Sequence, residues 1–118
     1  MKKYLVCPEC LELDSLVVIR ETAQWYQYSP DKLDFDGMYY GEPTLIKVEP
    51  LDQKWVYCSK CNTDIDTSEY LSPEDLLANY LVEVDDTGHI IAIGKGLKGI
   101  LTIGQNLHVA LKLLKEER

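Results

Sequence analysis

The sequence predicts an α+β fold: a small antiparallel β-sheet built around two cysteine knuckles, followed by an α-β-β-β-α unit. Three observations predict it. Four cysteines fall as two C-x-x-C pairs, Cys7/Cys10 and Cys58/Cys61, each after a short apolar run. Apolar and polar residues alternate between Ser15 and Tyr28, the period of a half-buried strand. Near the C-terminus, Leu107, Ala110, Leu111 and Leu114 recur at i, i+3, i+4 and i+7, one face of a helix.

Taken in order, Ser15 to Tyr28 reads as one long strand, with Glu21 the exception on its apolar parity. Ser29-Pro30-Asp31 breaks it. Thr44 to Glu49 and Gln53 to Tyr57 are further strands, the second leading into the Cys58 knuckle. Ser72 caps a helix that opens with Pro73-Glu74-Asp75 and runs to about Tyr80. Tyr80 to Val84 and His89 to Ile93 form a hairpin around Asp85-Asp86-Thr87-Gly88. Leu101 to Ile103 is the third strand of that unit, and the final helix closes it.

A chain of 118 residues makes one compact domain or two very small ones. Charge marks the change of character. Between Asn62 and Gly94 there are eight acids and no Lys or Arg; from Lys95 onward, five basic residues face two acids. We place a division between 1–68, a knuckle domain with a long insertion between its cysteine pairs, and 69–118. The net charge of −8 opposes phosphate-backbone binding except through a local basic patch, and complements a basic protein partner. It also serves solubility alone. No run approaches the roughly 20 apolar residues of a membrane span, and the run after Met1-Lys2-Lys3 is too short for a signal core. A cytoplasmic protein with reduced thiols is expected.

A C-x-x-C turn sets two sulfurs on one side of a tight knuckle, and two knuckles complete a tetrahedral Cys₄ zinc site. Two disulfides require an oxidising compartment, and a redox pair requires a single C-x-x-C at a helix start. An iron–sulfur site stays open to four cysteines, but the paired knuckles favour zinc. With all four positions filled by sulfur, the zinc is structural. The 47 residues between the pairs make the cross-link worth on the order of 4 kcal/mol in loop entropy. Zinc binding at such sites supplies about 10–16 kcal/mol in peptides, against a domain stability of about 5–15 kcal/mol.

On Cys7-Pro8-Glu9-Cys10 and Cys58-Ser59-Lys60-Cys61 the chain resembles the zinc-ribbon family. That family often has Gly after each knuckle, where positive φ is needed; here stand Leu11 and Asn62. Leu does not readily take that conformation, so an irregular first knuckle is expected. Residues 80–118 resemble the HicB-type antitoxin family on Gly88, Leu97, Gly99, Thr102, Gly104, Leu107, Ala110 and Leu111. Lys95 and Lys98 replace that family's prolines, and His108 and Val109 its acids. The resemblance implies a protein that neutralises a small basic RNA-cleaving toxin, often as an oligomer.

Six of the eleven aromatics lie between residues 25 and 40. Trp25, Tyr26, Tyr28, Tyr39 and Tyr40 either form a partner-binding surface or roof the small sheet. Asp34 and Asp36 read as a turn. His89 and His108 read as incidental polar residues, and no serine has a base or nucleophile elbow beside it. No catalytic constellation assembles, so we expect a non-enzymatic binding protein. The alternative is a nucleic-acid-associated zinc ribbon contacting phosphates through Lys2, Lys3, Arg20, Lys54 and Lys60.

Overall fold

The computed structural model describes residues 1–21, 23–50, 55–65 and 72–117. Among the described residues there are seven strands, β1 (Lys2–Leu5), β2 (Leu16–Arg20), β3 (Gln24–Gln27), β4 (Thr44–Val48), β5 (Val56–Cys58), β6 (Leu81–Val84) and β7 (Ile90–Ile93). Two helices join them, α1 (Pro73–Ala78) and α2 (Leu107–Glu116). The strands make two antiparallel sheets, ordered β1-β6-β7 and β4-β3-β2-β5. The α+β class expected from the sequence is what the chain adopts.

Its arrangement differs from the expected one in three places. The expected long strand 15–28 is two strands, with Ile19 opposite Trp25 across a tight turn. Glu21, the residue out of parity, takes φ 53 in that turn, and Ala23 N–H bonds to Arg20 C=O. A left-handed residue ends a strand, so the parity defect marked a turn. Leu101–Ile103 is not a strand. The third strand of the C-terminal sheet is β1, whose Lys2–Leu5 pairs with Val84–Leu81. Gln53 and Lys54, expected at the start of β5, lie outside the described residues, as does the expected division at 68/69. The sheets themselves interleave along the chain, because the first strand belongs with the last two.

That pairing makes the three-stranded sheet a partition between two cores. Alternation along β1 and β6 sends Leu5 and Leu81 to one side, and Tyr4, Val82 and Val84 to the other. The first side packs against Leu16, Val18, Val56, Leu76 and Leu77 from the second sheet and α1. The second packs against α2 through Leu107, Ala110 and Leu111, the helical stripe read from the sequence. Helix starts follow their caps: Ser72 accepts from Asp75 N–H, and Asn106 from Val109 N–H. No helix among the described residues is long and apolar enough to cross a membrane.

Candidate metal centre

Each knuckle hangs from the end of a strand. β1 leads into Cys7–Cys10 and β5 ends at Cys58. The two turns close alike: Leu11 N–H donates to Cys7 C=O at 2.9 Å, and Asn62 N–H to Cys58 C=O at 2.8 Å. Cys7 N–H reaches Glu12 C=O at 3.1 Å, and Cys58 N–H reaches Thr63 C=O at 3.0 Å. Leu11 (φ 62) and Asn62 (φ 60) both take the left-handed conformation. The first knuckle is therefore regular, against the expectation drawn from Leu11. That side chain is fully buried beside Val6 and Leu97. Burying a leucine is worth about 1.5–3 kcal/mol, enough to offset a left-handed penalty of about 1–2 kcal/mol.

Facing one another, the knuckles bring Cys7, Cys10, Cys58 and Cys61 together, with all four sulfurs within 4.8 Å. Cys7 Sγ lies 3.7 Å from Cys61 Sγ, and Cys10 Sγ lies 3.5 Å from Cys58 Sγ. All four are free thiols. A tetrahedron built on Zn–S bonds of about 2.3 Å has edges of about 3.8 Å, so the donor set fits a tetrahedral ion. Cys7 and Cys58 are buried, while Cys10 and Cys61 stay partly open to solvent.

The surroundings prepare one sulfur to be a thiolate. Burial pushes the Cys7 and Cys10 thiols above their usual range. It acts on Cys58 too, but the Ser15 hydroxyl and the N–H groups of Cys61 and Lys60 outweigh it. They draw the Cys58 thiol from 9.0 down to about 7. Ser15 is buried, its Oγ 3.1 Å from Cys58 Sγ, and Lys60 N–H reaches the same sulfur at 3.4 Å. Thr63 Oγ1 lies 3.2 Å from Cys61 Sγ. Sequence reading missed Ser15 and Thr63, because nothing in a pattern separates a hydroxyl beside sulfur from one facing water.

No protein-family model, curated protein or solved structure matches this chain. The centre is characterised by its own geometry.

The five aromatics expected on a partner surface do not share one. Trp25 is buried with Val17, Ile19 and Tyr57, edge-on to the Tyr57 ring at 5.2 Å. Tyr28 is buried in the first core, where its hydroxyl donates to Glu74 Oε1 and accepts from Arg20 Nη2, both at 2.6 Å. Tyr26 and Tyr39 pack against that core partly buried, and Tyr40 is exposed. The small sheet takes most of them as core material, the alternative weighed from the sequence. Of the expected basic patch, Lys3 is enclosed, donating to Leu33 C=O and pairing with Asp34. Arg20 pairs with Glu74 and stacks over Tyr26, and Lys54 lies outside the described residues. Asp34 and Asp36 form the turn expected of them, with Gly37 at φ 91.

Proposed function

We propose that this chain is a non-catalytic binding protein, folded around one structural zinc ion and acting on a basic protein partner in the manner of an antitoxin. The observation that carries the reading is the convergence of four cysteine sulfurs within 4.8 Å from two matching knuckles. Four thiolates held this close repel one another unless a cation neutralises them, and four sulfur donors leave no coordination position for water. A metal so enclosed supports a fold instead of a reaction.

The partner's character rests on charge and on the HicB-like stretch. A surface of net charge −8 steers and holds a basic protein, and repels nucleic acid. Supporting the antitoxin reading, the β6–β7 hairpin turns at Gly88, a second turn lies at Gly104, and α2 opens at Leu107. Against the nucleic-acid alternative, Lys3 is enclosed and paired with Asp34 and Arg20 is paired with Glu74, although Lys2 and Lys60 stay exposed.

Elemental analysis and native mass spectrometry of reduced protein purified from its own host test both parts. One zinc per chain and a co-purifying small basic protein, released by salt, are expected. A metal-free chain whose melting ignores chelator overturns the structural-zinc reading. An RNA or DNA fragment in place of the protein overturns the partner reading.

A further inference from the structure

The four sulfurs are not equivalent. In each knuckle the first cysteine, Cys7 or Cys58, is buried, and the second, Cys10 or Cys61, stays partly open to solvent. Two close contacts run across the knuckles and join unlike members. Cys10 Sγ stands 3.5 Å from Cys58 Sγ, and Cys61 Sγ stands 3.7 Å from Cys7 Sγ. Each reachable sulfur therefore has a sheltered sulfur of the opposite knuckle against it. The knuckles also belong to different sheets: Cys7 follows β1 of the three-stranded sheet, and Cys58 ends β5 of the four-stranded one. A peroxide-sensitive cysteine is accessible, thiolate in character, and beside a second sulfur that can resolve it. As metal ligands, Cys10 and Cys61 meet all three conditions.

We propose, resting on the structural-zinc reading, that Cys10 and Cys61 are sites of oxidation by hydrogen peroxide, and that two disulfides across the knuckles, Cys10–Cys58 and Cys7–Cys61, then take the metal's place. Cys10 Sγ attacks one peroxide oxygen, the O–O bond breaks, and hydroxide leaves, giving a sulfenic acid. Cys58 Sγ attacks that sulfur, the S–O bond breaks, and a second hydroxide leaves as the S–S bond forms. Cys61 and Cys7 react in the same way. Four thiolates and two peroxides become two disulfides and four hydroxides, so sulfur is oxidised and peroxide oxygen reduced. The reaction is at sulfur and needs no open position on the metal. A disulfide sulfur carries no charge, so the ion is released.

Bonding within a knuckle is the competing outcome. Each knuckle is fixed by its backbone, with Leu11 N–H on Cys7 C=O, Asn62 N–H on Cys58 C=O, and Leu11 held in the second core at φ 62. A C-x-x-C disulfide has to reshape that turn, whereas a bond across the knuckles needs only side-chain rotation. The cross-links join residues 48 and 54 apart in the chain, and they staple the same two sheets that the ion staples. Oxidation therefore lets zinc go while the fold stays closed. A chelator takes the zinc and leaves nothing in its place.

Titrating the zinc-loaded, reduced full chain with hydrogen peroxide tests this. A chromogenic chelator reads the zinc released, and mass spectrometry of non-reduced peptides reads the pairing. Expected are one zinc released for about two peroxides consumed per chain, and the links Cys10–Cys58 and Cys7–Cys61 within one chain. The oxidised protein should melt cooperatively, about 10 °C or more above the same protein stripped by chelator, and reductant should remove that difference. Oxidised in denaturant, the chain should instead give a mixture of the three pairings open to four cysteines. Links Cys7–Cys10 and Cys58–Cys61, sulfinic or sulfonic acid without cross-links, links between chains, or zinc retained in excess peroxide overturns the proposal and leaves the structural-zinc reading standing. A chain that takes up no zinc overturns both.

Discussion

Leu11 and Asn62 occupy the same left-handed position in two knuckles that share their backbone hydrogen bonds. One is a residue suited to that conformation, and the other is kept there by the core beneath it. Asn62→Gly should therefore change stability by a few tenths of a kcal/mol at most, since both residues tolerate positive φ. Leu11→Gly relieves strain but empties a fully buried site, where removing a leucine costs about 2–5 kcal/mol. A net loss of about 1–3 kcal/mol in urea unfolding of the metal-loaded protein is expected. Equal behaviour of the two variants contradicts the burial argument.

Replacing any one of Cys7, Cys10, Cys58 and Cys61 by Ser should abolish tight metal binding and lower the melting temperature sharply, as chelator should in the parent. Protons compete with the metal for thiolates, so metal is lost as pH falls. Ser15→Ala removes a hydroxyl that holds the Cys58 thiol near 7. Its thiol then titrates higher, and the pH of half release, read with a chromogenic chelator, should move upward. A downward shift, or none, excludes that role for Ser15.

Asp14 closes the edge of β1 from a left-handed position while its carboxyl is half-buried. Burial raises its pKa above 3.8. The folded state thus holds the proton more tightly than the unfolded one. The stabilisation is complete below 3.8 and is lost as pH rises through the folded value. At neutral pH the ionised group is a cost. Asp14→Asn keeps the acceptor for Leu5 N–H and tolerates the same φ, so it should raise the melting temperature at pH 7. The gain should disappear in acid. A variant less stable than the parent at pH 7 contradicts this.

Tyr28 joins β3 to α1 through one hydroxyl shared between Arg20 and Glu74. Tyr28→Phe leaves the ring in place and takes one hydrogen-bond partner from each of Arg20 and Glu74, which still pair with each other at 3.6 Å. A loss of about 1–3 kcal/mol is expected. In a double-mutant cycle with Glu74→Gln, the losses should fall short of additive; full additivity means that the two side chains do not interact.

A chain beginning at residue 69 should not fold on its own, although it contains β6, β7 and α2. Without β1, β6 loses the pairing of Lys2–Leu5 with Val84–Leu81, and the second core loses Val6 and Leu11. Circular dichroism and amide exchange should show an unfolded or aggregating fragment. Adding residues 1–14 as a separate peptide should restore protection in β6. A cooperative melt of the fragment alone contradicts the partition described here.

Local chemistry was legible. The Ser72 cap before Pro73, the turn at Gly88 and the α2 stripe are short-range patterns that follow from the geometry of one segment, whereas the half-buried alternation expected from Ser15 does not hold in β2, whose Leu16 to Ile19 are buried on both faces. The four cysteines were legible for the same reason, because each knuckle is a local turn that needs its pair three residues apart. Long-range choices were not. Sequence alone does not say that Lys2–Leu5 lies beside Leu81–Val84, because a strand's period names its faces and not its neighbour. Nor does it say that Leu11 holds a left-handed turn. That outcome depends on a core assembled from Val82, Leu97 and α2, which exists only after folding. Trp25 and Tyr28 are interior for the same reason: each joins a core whose other members, Val17, Ile19 and Tyr57 for Trp25 and Leu16, Val18 and Leu76 among others for Tyr28, come together only in the fold. The four sulfur donors were named by spacing, while the hydroxyl that tunes Cys58 was set by which strand lies next to β5.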